Sequence, residues 1–357
     1  MNTSIMQCIG QRIQRAYDDG VFPGCVVGIV TSSGQRAILP FGHFTNDPLS
    51  RSVCEDSLFD VASITKSIPT SSLMLKLLED GSIGLDDHVI DILPEIRNEY
   101  RERILMRHLL THTLNFGIRM SAYKDLPPLE LLDAIYGAKL TAAPGESFYY
   151  TNATSILMGI VVERVYGKSL DVLARELFFE PLSMHRTSFF PETFDREDIM
   201  PTEIDSWRGR TVQGEIHDES SYTLRKAMIA GSAGLFTTVP DVLNFIEMML
   251  KGGVYNGTRL LSEQTLCSIE TNQTTLPGIY SGLGWELYQP RYMGQYCTEH
   301  TFGKTGFTGC VCVADRKKSI GFVLLSNYTY PHRKNDVSII NSVRCDIADI
   351  VFSLSEV

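Results

Sequence analysis

Two residues three positions apart, Ser63 and Lys66, have the types and the spacing of an activated nucleophile. Positions i and i+3 share one face of a helix, so a helix that begins at Ser63 brings the lysine amine to the serine hydroxyl. A serine needs such a base, and lysine serves when burial or a second cation lowers its pKa. The apolar neighbours Val61, Ala62 and Ile64 favour burial. The spacing predicts a serine nucleophile with a lysine base, against the alternative of an ordinary helix start.

Tyr150 and Asn152 form a second group, which follows a Pro-Gly turn at residues 144–146. A phenol has a pKa of about 10, and nearby cations that lower it make the phenol a usable general acid or base. The asparagine amide is suited to binding a substrate carbonyl and to holding the lysine amine. The alternative is a buried tyrosine beside an asparagine that caps a helix.

Residues 303–309, Gly-Lys-Thr-Gly-Phe-Thr-Gly, form the third group. The glycines allow a strand edge to approach a ligand closely. Lys304 brings positive charge for a substrate carboxylate and for lowering neighbouring pKa values, and Thr305 brings a hydroxyl. The backbone N–H groups of Phe307 and Ser63 are predicted to form an oxyanion hole. The alternative is a glycine-rich turn with a solvated lysine.

Together the three groups resemble the motifs of the penicillin-recognising serine hydrolases: penicillin-binding proteins, serine β-lactamases and related esterases. The tyrosine in the central motif is similar to that of the class C β-lactamase branch, with its DD-carboxypeptidase and esterase relatives. Residues 109–113 and 144–146 resemble framework segments of this branch, whereas residues 114–117 depart from its usual Ser-Gly pair. Many members without lactamase activity carry His-x-Gly where this chain has Lys304-Thr305-Gly306, which favours carboxylate-bearing substrates.

The resemblance implies a role for each residue. Ser63 is the acylated nucleophile, and Lys66 takes its proton or orients it. Tyr150 relays the proton to the leaving group and then helps to activate the deacylating water. The predicted substrate-binding residues are Asn152, Lys304, Thr305 and Gly306. Two alternatives stay open: a small-ester esterase of the same fold, and a catalytically silent binding protein that retains the fold. The rate of deacylation is also left open, because no counterpart of the class A deacylating glutamate is evident.

Two pairs of residues that contain histidine suggest other kinds of site, a zinc site and a Ser-His-Asp triad. His108 and His112 have a spacing that suits zinc on one helix face, but no glutamate stands next to His108. His217 and Asp218 could belong to a Ser-His-Asp triad, but residues 231–234, Gly-Ser-Ala-Gly, are one residue too short for a nucleophile elbow. We therefore expect structural histidines, no metal and no cofactor.

Strand-like segments lie at both ends of the chain and helix-like segments in the middle. Apolar periodicity predicts helices over 5–17, 63–80, 129–136, 155–166, 239–251 and 337–352, and strands over 24–30, 35–41, 282–287, 309–314 and 320–326. Residues 193–223 are polar and are predicted to form a long surface segment. The fold class is α+β: an antiparallel sheet from both termini, flanked by helices, with an inserted mostly helical lobe. We assign residues 1–62 and 232–357 to the α/β lobe, residues 63–231 to the helical lobe, and the active site to the cleft between them.

The amino-acid composition and the net charge argue against some classes of binding partner. The chain has 357 residues, 43% of them hydrophobic, and a formal net charge of −10, which argues against nucleic acid. No apolar run approaches the roughly 20 residues of a membrane span. The N-terminus lacks a secretory pattern and the eight scattered cysteines do not suggest a disulfide framework, so we expect a cytoplasmic location. The expected substrate is a small molecule or peptide with a carboxylate or an ester, and the oligomeric state is left open.

Overall fold

The computed structural model describes residues 3–334 and 336–353 and is centred on a six-stranded sheet. Its strands are β1 (Gly24–Thr31), β2 (Arg36–Gly42), β9 (Glu286–Leu287), β10 (Phe302–Thr305), β11 (Val311–Asp315) and β12 (Ile320–Ser326). They lie in the order β2-β1-β12-β11-β10-β9, and every neighbouring pair is antiparallel. The remaining strands form three short antiparallel pairs outside this sheet: β3 (Phe59–Asp60) with β6 (Phe236–Thr237), β4 (Glu203–Asp205) with β5 (Arg210–Val212), and β7 (Val254–Tyr255) with β8 (Thr258–Arg259). The predicted α+β fold, with one antiparallel sheet built from both ends of the chain, is confirmed.

The α-helices of the described residues are α1 (Thr3–Asp18), α2 (Ser72–Glu79), α3 (Val89–Ile92), α4 (Met106–Leu110), α5 (Pro128–Tyr136), α6 (Asn152–Tyr166), α7 (Leu170–Ala174), α8 (Glu219–Leu224), α9 (Val239–Leu250), α10 (Glu263–Glu270), α11 (Pro290–Met293) and α12 (Ser338–Phe352). Helices α1 and α12 pack on one face of the sheet, and α9 packs on the other. On β1, Val27 and Ile29 pack with apolar residues of α1 and α12, whereas Val26 and Val30 join the larger core that contains α9. A strand buried on both faces is apolar at successive positions, which explains the continuous run in β1.

The helix predicted over 63–80 is broken in the structure, and its short 3₁₀ start near Ser63 is what a proline at position 69 predicts. Residues Ala62–Lys66 form a 3₁₀ turn, Ile68 leaves helical geometry (φ −116°, ψ 108°), and regular α-helix begins only at Ser72. Pro69 explains the break, because proline lacks an N–H donor and pushes the residue before it out of the helical region.

Two other predicted segments also differ from the structure. The strand predicted over 282–287 is reduced to β9, because residues 282–284 are taken up by a turn packed on α10, where a side chain at Gly282 would meet the Ile269 carbonyl at 1.9 Å. Residues 193–223, predicted as a surface segment, instead contain the hairpin Glu203–Asp205 with Arg210–Val212 and the helix α8. Some of their polar side chains are buried in pairs, such as Asp205 with Arg208 and Thr202 with His217, which composition does not reveal.

Helix α6 lies at the centre of the helical region, and ten of its residues, Ala153 to Val162, are buried. A Cβ built on Gly231 would lie 2.4 Å from the Ser155 carbonyl oxygen of α6. Only glycine permits so close an approach. The proposed lobe boundaries at 62/63 and 231/232 stay a prediction. Among the described residues, no helix has both the length and the apolar character needed to cross a membrane.

We expect Gly231→Ala to destabilise the protein by about 1–3 kcal/mol, the usual cost of overpacking. The new methyl group would meet the backbone of α6, which cannot move aside like a flexible side chain. Gly10→Ala is the matched control, since its Cβ meets only Leu39 at 3.7 Å and alanine favours a helix. Denaturant unfolding of both variants checks this; equal stability of the two would contradict it.

Candidate active site

The 3₁₀ turn of residues 62–66 brings Ser63 and Lys66 together. Such a turn has three residues per repeat, so side chains three positions apart lie above one another. Lys66 Nζ lies 2.9 Å from Ser63 Oγ. The lysine is 1% exposed, whereas the serine is partly exposed. The predicted pairing of hydroxyl and amine is therefore present in the fold.

Two further oxygen atoms fix the Lys66 amine: Asn152 Oδ1 and the Ser232 carbonyl, each at 2.8 Å from Nζ. Both are acceptors only, so they take two N–H bonds whether or not the amine is charged. A neutral amine then has its lone pair left for the Ser63 hydroxyl. Burial lowers the pKa of Lys66, and the Lys304 ammonium lowers it further, against the opposing effects of Tyr150 and Asp218. The site thus favours a lysine that can accept a proton.

Tyr150 precedes α6 and lies between the two lysines. The centre of its ring is 4.4 Å from Lys304 Nζ and 5.2 Å from Lys66 Nζ. Burial acts to raise the pKa of Tyr150, but the two ammonium groups and the Ser63 hydroxyl outweigh it and lower the pKa below its ordinary value. The residue is still 41% exposed, so it can meet a ligand.

His112 packs beside Tyr150, with ring centres 5.3 Å apart. Burial, followed by the charges of Lys304 and Lys66, lowers the pKa of His112 to about 3, so its ring is neutral near pH 7. Its Nδ1 bonds Thr154 Oγ1 at 2.8 Å. A neutral ring can pack close to two cations without adding to their repulsion.

Asn152 is the first residue of α6, and its side chain links Lys66 to Asp218. Its amide nitrogen donates to Asp218 Oδ2 at 2.9 Å and to Ser220 Oγ at 3.2 Å. Burial acts to raise the pKa of Asp218, but hydrogen bonds from Ser220 and Ser221 lower it, so the carboxylate stays charged. The sequence analysis considered Asp218 only as a partner of His217 and missed this contact.

Lys304, on β10, forms a buried ion pair with Glu286 on the neighbouring strand β9. No local sequence pattern predicts this pairing, because it depends on the register between β9 and β10. Burial acts to lower the pKa of Lys304, but Glu286 and then Tyr150 raise it, so the ammonium stays charged.

Thr305, Gly306 and Phe307 share one cavity of about 180 Å³ with Ser63 and Tyr150. Gly306 is required there, because a Cβ would lie 2.4 Å from the Val61 carbonyl oxygen. Phe307 is 46% exposed. The structure therefore brings these five residues to one place; the oxyanion-hole role of the Ser63 and Phe307 N–H groups stays a prediction.

Arg344, from α12, holds the turn that contains Gly306 through two hydrogen bonds. Its guanidinium donates to the carbonyl oxygens of Gly306 at 3.0 Å and Cys310 at 2.9 Å. The residue is 4% exposed, and burial lowers its pKa to about 10. The sequence analysis did not single it out, and no local pattern marks it.

Asp60 is a further residue that the sequence analysis missed. Its two carboxylate oxygens accept from the N–H groups of Ala62 at 2.8 Å and His217 at 2.7 Å, and its carbonyl accepts from Thr308 Oγ1 at 2.7 Å. Ala62 has a φ of 45°, a left-handed conformation that costs energy in a residue other than glycine. Asp60 therefore ties the backbone before Ser63 to two distant segments, and burial raises its pKa to about 6.

The other two histidines considered from the sequence, His217 and His108, each have a hydrogen-bond partner. His217 Nδ1 bonds Thr202 Oγ1 at 3.1 Å, and His108 Nδ1 accepts from the Leu105 N–H at 3.1 Å. Within residues 3–334 and 336–353, no three His, Cys, Asp or Glu side chains are placed to hold a metal ion.

A protein-family model described as Beta-lactamase matches residues 9–341. The chain belongs to the Beta-lactamase family. This is the family that the motifs resemble, and the chain is a hydrolase.

Individual relatives agree with the family. An Escherichia coli K12 protein that bears the name of a D-alanyl-D-alanine carboxypeptidase is 27% identical over 302 residues, which are 76% of this chain and 69% of the relative. A class C β-lactamase structure has a TM-score of 0.75 at 18% identity, covering 97% of each chain. The hydrolase EstCE1, titled as having promiscuous acyltransferase activity, has a TM-score of 0.75 at 20% identity and covers 96% of this chain and 98% of its own. The two structures show the shared Beta-lactamase fold.

We expect Asp60→Asn to destabilise the protein by about 1–3 kcal/mol, because an amide can accept only one of the two N–H bonds and leaves the other donor unsatisfied. The backbone at Ala62 should then relax and slow acylation of Ser63. Thermal unfolding and single-turnover kinetics with an activated ester check this, with the exposed Asp195→Asn as control. Wild-type values for both measurements in Asp60→Asn would contradict the tethering role.

Proposed function

We propose that this protein is a serine hydrolase that forms an acyl-enzyme on Ser63 and transfers the acyl group to water. The 2.9 Å contact between Lys66 Nζ and Ser63 Oγ carries the proposal, because the amine is buried and held by two other acceptors. The relative named as a D-alanyl-D-alanine carboxypeptidase supports a β-lactam or a D-alanyl peptide as acyl donor. A small ester of the same reaction class is the alternative substrate.

Acylation requires one proton to travel from the serine to the leaving group. Ser63 Oγ attacks the substrate carbonyl carbon while its proton passes to Lys66 Nζ. The N–H groups of Ser63 and Phe307 would stabilise the oxyanion that develops. When the bond to the leaving nitrogen or oxygen breaks, Tyr150 delivers a proton to that atom, and Lys66 returns the proton to Tyr150. The bond from Oγ to the acyl carbon replaces the broken bond.

Deacylation reverses these roles with water as the nucleophile. The Tyr150 proton first passes to Lys66, and the phenolate, which then lies close to two ammonium groups, takes a proton from water. The water oxygen bonds to the acyl carbon and the bond to Ser63 Oγ breaks. Tyr150 gives its proton to Ser63 Oγ, and Lys66 returns a proton to Tyr150. The product is the free acid, and the site regains its initial protonation.

Turnover of p-nitrophenyl esters and a covalent adduct with benzylpenicillin are both expected to depend on Ser63. Ser63→Ala should show only background ester hydrolysis and no mass increase in intact-protein mass spectrometry. Ser82→Ala, at an exposed serine, is the control and should behave as the wild type. An adduct or turnover that persists in Ser63→Ala would rule out the assignment, and wild-type protein without either would favour a silent binding protein.

Lys66→Met is expected to slow acylation by about 10²–10⁴-fold, the usual contribution of a general base. Methionine fills a similar volume, so the fold should persist with the loss of three hydrogen bonds at the amine position. Lys317→Met, at an exposed turn, is the control. Burst kinetics measure the acylation rate, and a rate within twofold of the wild type would remove the lysine from the mechanism.

A further inference from the structure

The Glu286–Lys304 ion pair lies next to Tyr150, and several other groups hold it in place. The Glu286 side chain is 15% exposed and that of Lys304 is 3% exposed, so the pair is shielded from solvent. Two more groups hold the carboxylate: the Tyr292 hydroxyl donates to Oε2 at 3.0 Å, and Arg291 approaches it at 3.3 Å. Backbone pairing of Gly303 with Glu286 fixes the two strands in register.

The Lys304 ammonium is directed at Tyr150. Its Nζ lies 4.4 Å from the centre of the tyrosine ring. The cavity beside Ser63 is lined by other groups, including Thr305, Gly306 and Phe307. With its charge bound to Glu286 and its side chain covered, Lys304 acts on the tyrosine more directly than on a ligand in that cavity.

We propose that Glu286 is a positioning residue that holds the Lys304 ammonium against Tyr150, and that this ion pair sets the pH at which Ser63 becomes reactive. The inference rests on the proposed function, since it assigns the control of the same acylation step. It gives Lys304 the role of a field-setting cation in place of the substrate-binding role that the sequence predicted.

The sign of the effect follows from the charges that surround Tyr150. Lys66 and Lys304 favour the ionised phenol, Glu286 disfavours it, and His112 is neutral. Burial acts to raise the pKa of Glu286, but Lys304, Arg291 and the Tyr292 hydroxyl lower it, so its carboxylate stays charged. The Arg344 guanidinium, from α12, also interacts electrostatically with Glu286. Removal of the Glu286 charge should therefore lower the pKa of Tyr150, whereas removal of the Lys304 charge should raise it.

The test compares the pH dependence of kcat/KM for a neutral p-nitrophenyl ester in three proteins. The rising limb of kcat/KM reports the loss of one proton from the Lys66–Tyr150 pair of the free enzyme, which leaves a group able to take the Ser63 proton. Relative to the wild type, the midpoint should move to lower pH in Glu286→Gln and to higher pH in Lys304→Met. The double variant should fall between the wild type and Lys304→Met. Shifts in the same direction, or no shift in either single variant, would overturn the proposal.

Two controls separate charge from packing. Glu286→Asp keeps the charge but shortens the side chain, so its midpoint should stay near that of the wild type even where its kcat falls. Glu99→Gln removes a charge at an exposed position and should leave the profile unchanged. A structural role alone would make Glu286→Asp more harmful than the isosteric Glu286→Gln and would move neither midpoint. If Glu286→Gln does not fold, a Glu286→Asp midpoint displaced as far as that of Lys304→Met would overturn the proposal, and an unchanged one would support it.

A spectroscopic readout distinguishes failure of this inference from failure of the proposed function. Ultraviolet difference titration against Tyr150→Phe measures ionisation of Tyr150 in each background without any turnover. If Ser63 does not become acylated but the tyrosine titration still shifts in opposite directions, the proposed function fails and the role of Glu286 stands. If Ser63 is acylated and the titration does not shift, the role of Glu286 fails alone.

Discussion

The buried amine of Lys66 is the constraint on which the rest of the site depends. A buried amine is costly unless each of its N–H groups finds an acceptor. Three oxygens from distant parts of the sequence meet that requirement: the Ser63 hydroxyl, the Asn152 amide and the Ser232 carbonyl. The fold must bring these three segments together to bury the lysine, and in doing so it builds the contact that activates the serine. Stability and chemistry therefore impose the same geometry.

Charge balance explains why two lysines can approach one tyrosine. Lys66 and Lys304 repel each other in a poorly solvated site, where Coulomb interactions are strong. Asp218 acts on the first through Asn152, and Glu286 pairs directly with the second. The carboxylates let the ammonium groups remain close while Tyr150 still experiences a net positive field. Without them, burial and repulsion would drive protons off the lysines and weaken that field.

The sequence predicted the candidate reactive side chains better than the residues that hold them in place. Ser63, Lys66 and Tyr150 could be found because their types and spacing are distinctive, and the apolar strands at both ends indicated the sheet. Asp60 and Glu286 could not be assigned from the sequence, since their partners lie between 18 and more than 150 residues away and depend on strand pairing. Residues 193–223 were misread for a related reason. Their polar composition resembles that of a surface loop, but some of their charged side chains are buried against one another, as in the ion pair between Arg208 and Asp205.

The backbone around the nucleophile explains where substrate choice can reside. The left-handed Ala62 and the tight contact of Gly306 with Val61 leave little room for side-chain change next to Ser63. The amide and ammonium groups of Asn152 and Lys304 are already bonded to Asp218 and Glu286. Two neighbouring aromatic side chains do have open surface: Phe307 is 46% exposed and Tyr149 is 38% exposed, and each lines a cavity that Tyr150 also lines. In the proposed mechanism, the residues around Ser63 therefore set the reactivity, and these exposed aromatic side chains are the surfaces available to recognise the acyl and leaving groups.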